Sequence, residues 1–425
     1  MTTILFVSFF VLMILGMPLG FAIIIGGIAA LTFGSGINPL MVPQRLFAGM
    51  DSFSLLAIPF FLLAGSLMTA GGLSDRIIAL ANALVGRLRG GLALGNVVAS
   101  IFFGGISGSA VADTSAIGGT FIPAMKRLGY KAPYSVAVTA ASSPMSPLIP
   151  PSIAWIVYGF LTDQSVIRLF FAGILPGLLW SGAICVLIVI QAYRLDFPVF
   201  EKTSLKELWR VFREALTALM MPVIILGGIL FGVFTVTEAS AVAVVYALFV
   251  GVVVHRELDF KSIMQAVRSS IETTAVVMII IGSASLFAWI LAYDEVPQRV
   301  AAAIGDFTQN PIVFLLLVNA LLLVLGTFME TNAAKVMVVP VLFPIAVTYG
   351  IDPIHFGVIV TANICLGLIT PPLGIVLALA CRIGDIPLDK GIVAVVPFLL
   401  VSMGVVLVLT YVPAISLWLP HLLLD

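Results

Sequence analysis

Charge is what this sequence has least of. Lys, Arg, Asp and Glu make up 9% of its 425 residues, against about 25% in ordinary soluble domains; so little charge cannot cover a water-facing surface. What charge there is balances to zero, which removes the electrostatic case for a nucleic-acid partner. Histidine and cysteine are scarce too. His255, His355 and His421 are scattered, and Cys185, Cys365 and Cys381 fall in apolar stretches without metal spacing, so neither a metal centre nor a disulfide framework is implied. The chain has no H-E-x-x-H, no G-x-S-x-G and no G-x-x-x-x-G-K-[ST]. Energy for its work must then come from an ion gradient or from another subunit.

Apolar surface is what it has in excess: 61% of the residues are hydrophobic and the mean hydropathy is +1.22. Apolar runs of about 18 residues or more, long enough for a hydrocarbon core of about 30 Å, recur from end to end. Alternating barrel strands are absent, so the expected fold class is an all-α polytopic membrane protein. Nine full spans are expected near 4–34, 52–71, 133–160, 169–193, 216–234, 236–254, 271–293, 355–381 and 391–418. The first run is too long for a secretory signal and lacks a basic leader, so it reads as a retained span.

Two further apolar segments do not read as simple crossings. Residues 92–125 carry Gly104, Gly105, Ser107, Gly108, Ser109 and Asp113 at their centre, with Arg87 and Arg89 before them and Lys126, Arg127 and Lys131 after them. Basic flanks on both sides put both ends in the cytoplasm, so the segment enters and returns as a re-entrant helical hairpin. Residues 311–349, centred on Gly326, Glu330, Thr331, Asn332 and Lys335 with sparse flanks, read as a second hairpin entering from the opposite face. Two of the spans must break. Ser142 to Ser152 holds four prolines and four serines in eleven residues, and each interior proline removes a donor at a cost of about 3 kcal/mol. In lipid such a break survives only where protein or a wet cavity satisfies the backbone, so it reads as a binding site. Asn363, Gly367, Thr370, Pro371, Pro372 and Gly374 form its counterpart.

With the N-terminus inside, sixteen of the twenty Lys and Arg fall in cytoplasmic segments, as the positive-inside rule requires, and the C-terminus is periplasmic. The hydrophilic stretch Arg194 to Arg213, with Lys202, Lys206 and Arg210, reads as a cytoplasmic connector. An offset of 221 residues pairs Gly105 with Gly326, Pro123 with Pro344, Gly129 with Gly350, Pro150 with Pro371 and Pro151 with Pro372. The expected division is a first repeat over 1–215, a linking span over 216–235 and a second repeat over 236–425. The odd linker inverts the second half, a pattern that points to alternating access.

Half-helix N-termini suit a carboxylate, and unwound carbonyls suit a small cation. Asp113, with Ser107 and loop carbonyls, reads either as a Na⁺ ligand or as the cap of a half-helix. Glu330, with Thr331 and Asn332, is a second cation site, a proton carrier or a partner of Lys335. Glu238 reads as a helix-start carboxylate.

Ile58 to Gly65, Gly105 to Asp113, the stretch ending Pro150-Pro151-Ser152, and Thr370 to Gly374 together resemble the large membrane subunit of the TRAP (tripartite ATP-independent periplasmic) transporters, a family similar to the wider ion-transporter superfamily of elevator carriers. Val236 stands where the family has proline. The resemblance implies a Na⁺-driven elevator importer in the bacterial cytoplasmic membrane, with no cofactor beyond the coupling ion. Its implied partners are a small four-helix membrane subunit and a periplasmic binding protein that delivers an organic acid such as a C4-dicarboxylate, sialic acid or sugar acid. Cation-site candidates are Ser107, Gly108, Ser109, Asp113, Glu330, Thr331, Asn332, Gly367 and Thr370. Substrate-site candidates are Ser142, Ser143, Pro150, Pro151, Ser152, Asn363, Pro371 and Pro372. The competing readings are a stand-alone carrier of the same superfamily and, from another class, a membrane enzyme or structural subunit.

Overall fold

A computed structural model describes residues 1–34, 36–86, 88–195, 197 and 204–425, and among these the regular elements are helices. Eight helices are long and apolar enough to cross a membrane. The sequence reading placed Arg87 and Lys202 in connectors; both lie outside the described residues.

The first apolar run is not one span. It folds as two helices, Thr2–Ile14 and Leu19–Gly34. Gly16, at φ +84°, ends the first: its N–H donates to Met13 and that of Met17 to Leu12, the paired bonds that close a helix when glycine takes the left-handed conformation. Pro18 then precedes a new start. The helices pack antiparallel, since a Cβ on Gly34 would lie 2.9 Å from Met1 Cα and one on Gly26 would lie 3.1 Å from Ser8 Oγ. The chain therefore returns to the side from which it set out. The last expected span also divides, into Leu388–Tyr411 and Ala414–Leu424, because Pro413 cannot continue a helix.

The connector expected at 194–213 is shorter than read. Ser204 caps a helix running Leu205–Leu230, its hydroxyl accepting from Glu207 N–H at 3.1 Å, so Lys206, Arg210 and Arg213 sit on the first turns of a crossing helix. Helix Phe260–Tyr293 has 34 residues, about 51 Å at 1.5 Å per residue. That exceeds the hydrocarbon thickness, and the excess is its polar first turns. Two amphipathic helices lie between the expected spans, Leu73–Val85 and Val296–Phe307.

Both hairpins form. Gly91–Ser107 turns into Ala110–Arg127, and Pro311–Phe328 into Thr331–Thr348. Gly108, at φ +56°, makes the first turn, a conformation that costs other residues about 1–2 kcal/mol. Both expected breaks form as well. Ala132–Ser142 is separated from Ile153–Thr162, and Pro353–Gly367 from Ile375–Gly384; the Pro150–Pro151 and Pro371–Pro372 peptides are cis. The ends of Ala110–Arg127 and Thr331–Thr348 are 221 residues apart at both termini.

Candidate functional site

The first hairpin lies directly on the first break because glycine lets backbone meet backbone. A Cβ on Gly104 would come within 2.9 Å of Ser146 Cα, and one on Gly108 within 2.8 Å of Ser152 Cα. The second pair repeats the device, with a Cβ on Gly326 falling 3.0 Å from Gly367 Cα. The broken backbone finds a buried partner, Leu148 C=O accepting from Trp155 Nε1 at 3.0 Å, and in the first turn of the half-helix beyond it Ala154 C=O also accepts from Lys335 Nζ at 2.7 Å. Ser152 caps the half-helix beyond, its hydroxyl accepting from Ala154 N–H at 3.2 Å.

Asp113 is fully buried, one turn into the returning helix of the first hairpin. It does not cap that helix, because Ser109 does, accepting from Ala112 N–H. Its carboxylate heads a line of polar groups instead. The Ser100 hydroxyl donates to Oδ2 at 2.9 Å and lies 3.0 Å from the Ser142 hydroxyl. Ser142 donates to Asn96 Oδ1 at 3.1 Å, and Asn96 Nδ2 donates to Thr139 Oγ1 at 2.6 Å. The Ser143 and Ser146 hydroxyls also face the carboxylate. Asp113 Oδ1 and Ser146 Oγ are buried with no hydrogen-bond partner among the described residues. Buried oxygens left unpaired in this way are commonly met by an ordered water or an ion, and a carboxylate among hydroxyls is the donor set of a hard cation.

No hydrogen bond joins Asp113 to Ser107. Ser107 is half-buried at the hairpin tip, its hydroxyl accepting weakly from Ser109 N–H at 3.4 Å. At the second tip the carboxylate takes a role that was not read from sequence. Glu330 is exposed and caps its helix, accepting from Asn332 N–H at 2.9 Å and Ala333 N–H at 3.3 Å. Lys335 is fully buried and turns away from Glu330 to the Ala154 carbonyl, 5.3 Å from the Trp155 ring centre. The proposed Glu330–Lys335 pair is thus absent from the described structure. Thr331 is buried beside Cys365, Asn332 Oδ1 is buried without a partner, and the Thr370 hydroxyl donates back to Leu366 C=O at 2.9 Å. Glu238 completes a capping box with Thr235, as a helix-start carboxylate should.

Of the substrate-site candidates, Ser142, Ser143, Pro150, Pro151 and Ser152 are all buried. Asn363 is buried as well, donating to Asn319 Oδ1 at 2.7 Å, whereas Pro372 is exposed. Open space lies elsewhere, in a cavity of about 730 Å³ bounded by the first hairpin tip and by helices Ala57–Ala70 and Phe260–Tyr293. Ser107 and Ser109 line it from the hairpin. Ser66, Thr69, Gln265 and Ser269, which the sequence reading did not single out, line it from the two helices. Their signal was a polar stripe at helical spacing: Ser262, Gln265, Ser269 and Thr273 recur every three or four residues and so share one face.

Broken helices and hairpins around a buried polar line, in a chain of eight long apolar helices, define a multi-pass membrane permease. The chain belongs to the family described as "Tripartite ATP-independent periplasmic transporter, DctM component", whose profile matches residues 6–415. It is therefore a transporter permease and not an enzyme. It is 41% identical over 417 residues to the sialic acid TRAP transporter large permease protein SiaM of Vibrio cholerae, covering 97% of each chain. It is 42% identical over 377 residues to the C4-dicarboxylate TRAP transporter large permease protein DctM of Pseudomonas aeruginosa, covering 89% of this chain and 88% of that one. Among solved structures, the YdaH transporter of Alcanivorax borkumensis aligns with a TM-score of 0.62 over 87% of this chain and 86% of its own at 15% identity, a likeness of fold alone.

Proposed function

We propose that this chain is the large membrane subunit of a Na⁺-coupled importer of organic acids in the bacterial cytoplasmic membrane, working with a small membrane subunit and a periplasmic binding protein. The observation that carries the reading is the orphaned pair Asp113 Oδ1 and Ser146 Oγ, where the first hairpin meets the first break. A Na⁺ held there would tie the hairpin to the break, and substrate would bind only once that joint is fixed. The two hairpins and two broken spans form the moving unit of an elevator. The remaining long helices, with the small subunit, form its scaffold.

The matching ends of the two hairpins support an internal repeat. On the helix boundaries, Leu205–Leu230 and Val236–Phe249 stand to the second half as Thr2–Ile14 and Leu19–Gly34 stand to the first, so no separate linking span is needed. Each half then crosses five times, and the odd number inverts the second. With an antiparallel first pair, we read the N-terminus on the periplasmic side, opposite to the side read from sequence, with every basic connector left where it was.

The test is uptake of radiolabelled carboxylates into proteoliposomes holding this chain and its small subunit under an inward Na⁺ gradient, with and without the binding protein. Uptake that needs both Na⁺ and the binding protein is the expected result. Uptake indifferent to Na⁺ would refute the coupling, and uptake without the binding protein would make the chain a stand-alone carrier.

A further inference from the structure

We infer that Lys335 is a built-in counter-charge to Asp113: when the moving unit carries no cargo, its ammonium cancels the pull of the membrane potential on the Asp113 carboxylate. This rests on the elevator reading above and adds to it what the empty unit carries on its return. Among the described residues, two Asp, Glu, Lys or Arg side chains are buried to 0% exposure, Asp113 and Lys335. They have opposite sign, and each stands on the returning helix of its own hairpin, Ala110–Arg127 and Thr331–Thr348. Under the 221-residue offset Asp113 pairs with Ala334, so Lys335 stands one residue beyond the mirror position. His355, also buried, is complete as a neutral imidazole, with Nε2 donating to Thr410 C=O at 3.1 Å and Nδ1 accepting from the Ser416 hydroxyl at 2.9 Å.

A charge at membrane depth is costly and is by default functional. Lys335 donates to Ala154 C=O at 2.7 Å and lies 5.3 Å from the Trp155 ring centre, and neither group neutralises it. A tie to a carbonyl needs only a donor, which an amide would supply, so the charge itself calls for another reason. Voltage work needs no contact between charges. It depends on each charge and on the distance it travels through the field, and these two ride the same body. Gly104 and Gly108 seat the first hairpin on Ser146 and Ser152, and Lys335 grips Ala154, two residues on. Without Na⁺ the carboxylate stands alone at its end of that body. One charge carried across the whole field changes an equilibrium about 50-fold per 100 mV, or about 2.3 kcal/mol; Lys335 removes that bias. Glu330 rides on the second tip, exposed to solvent, and is the same in every variant below, so differences between variants report the buried pair.

The experiment measures which face the empty unit occupies, in inside-out vesicles holding the full chain with its small subunit. The reporter is Val111→Cys in a cysteine-free background, because Val111 lines the cavity at the first tip together with Ser262 and Gln265, at the helix end read as cytoplasmic. An impermeant thiol reagent is applied in choline chloride, with potassium gradients and valinomycin setting the potential to either sign. Relative to the reporter alone, Lys335→Met and Lys335→Gln should each shift the inward-to-outward ratio toward outward by about sevenfold per 100 mV, cytoplasm negative, for a unit that crosses half the field. Asp113→Asn should shift it by as much toward inward. Combining Asp113→Asn with Lys335→Met should restore the reporter's own voltage response, which the loss of a structural contact cannot do. Single variants that keep the reporter's response would overturn the inference, as would shifts of the same sign or a double variant that fails to return. With labelling still sensitive to NaCl, each of these leaves the elevator reading standing. Labelling that neither NaCl nor potential alters in any variant would overturn that reading and this inference with it.

Discussion

Replacing Asp113 by Asn exchanges a carboxylate for an amide of nearly the same shape. The Ser100 hydroxyl, which donates to Oδ2 at 2.9 Å, can donate equally to the amide oxygen, so the polar line through Ser142 and Asn96 survives and the protein should fold. What disappears is the negative charge and one of the two acceptors beside the unpartnered Ser146 hydroxyl. A charge-assisted contact is worth about 1.5–3 kcal/mol, and about 1.4 kcal/mol is a factor of ten. The half-saturating Na⁺ concentration should therefore rise about 10- to 150-fold. It can be read from Na⁺-dependent thermal stabilisation and from Na⁺-driven uptake in proteoliposomes. Asp113→Ala is the control: it also strips Ser100 of its acceptor and should lower stability by a further ~1–3 kcal/mol. A folded Asp113→Asn protein with unchanged Na⁺ dependence would refute the assignment of the cation to this joint.

Gly108→Ala places a side chain at φ +56°, with its Cβ 2.8 Å from Ser152 Cα. The left-handed conformation alone costs about 1–2 kcal/mol, so a lower thermal midpoint and reduced uptake are expected. Asn363→Leu removes the donor to Asn319 Oδ1 and should destabilise by about 1–3 kcal/mol, seen as a lower Tm in detergent. In a cysteine-free background, cysteines at Thr2 and Asn38 should react with an impermeant thiol reagent from one side of the membrane and a cysteine at Lys131 from the other; Thr2 reacting with Lys131 would undo the antiparallel first pair. Arg76 pairs with Glu257 at 2.7 Å and holds its carboxyl below the usual range. That contribution is present above the ordinary carboxylate pKa and is lost as pH falls through the depressed folded value. The pair is largely exposed and worth about 0.5 kcal/mol, so Glu257→Gln should lower Tm slightly at neutral pH and not at about pH 3.

The breaks and hairpins were legible because proline and glycine act locally: four prolines between Pro144 and Pro151 leave no continuous α-helix across that stretch, and Gly108 marks its own turn. The first pair of helices was not legible. Gly16-Met17-Pro18 sits inside an apolar run, so hydropathy alone passes over it. The acidic residues at the two tips were found, but Asp113 was left between ligand and cap and Glu330 was not read as a cap, because whether a carboxylate caps its helix or faces the core depends on one rotamer and on what the neighbouring helix offers. Ser100 and Asn96 were missed for a related reason. A serine inside a helix usually bonds to its own backbone, and only the fold brings Ser142 and Asp113 to these two. The cavity residues were readable as a stripe on one helix face, but a stripe alone does not say whether it meets lipid, protein or a cavity.

Lys335, from the second half, holds the Ala154 carbonyl of the first; Lys126 of the first half donates to Gly384 C=O of the second at 3.0 Å, and Tyr158 to Pro353 C=O at 2.7 Å. Each half thus completes the other's broken span. During synthesis, the helix Ile153–Thr162 enters the bilayer with part of its buried face uncovered and stays so until residues 331–348 have been made, because its main partner is encoded nearly two hundred codons later. A ribosome stalled in between would leave that face of the helix open to lipid, the kind of defect that membrane quality control removes. Assembly of this permease is therefore a late event, and a split version should require both fragments at once.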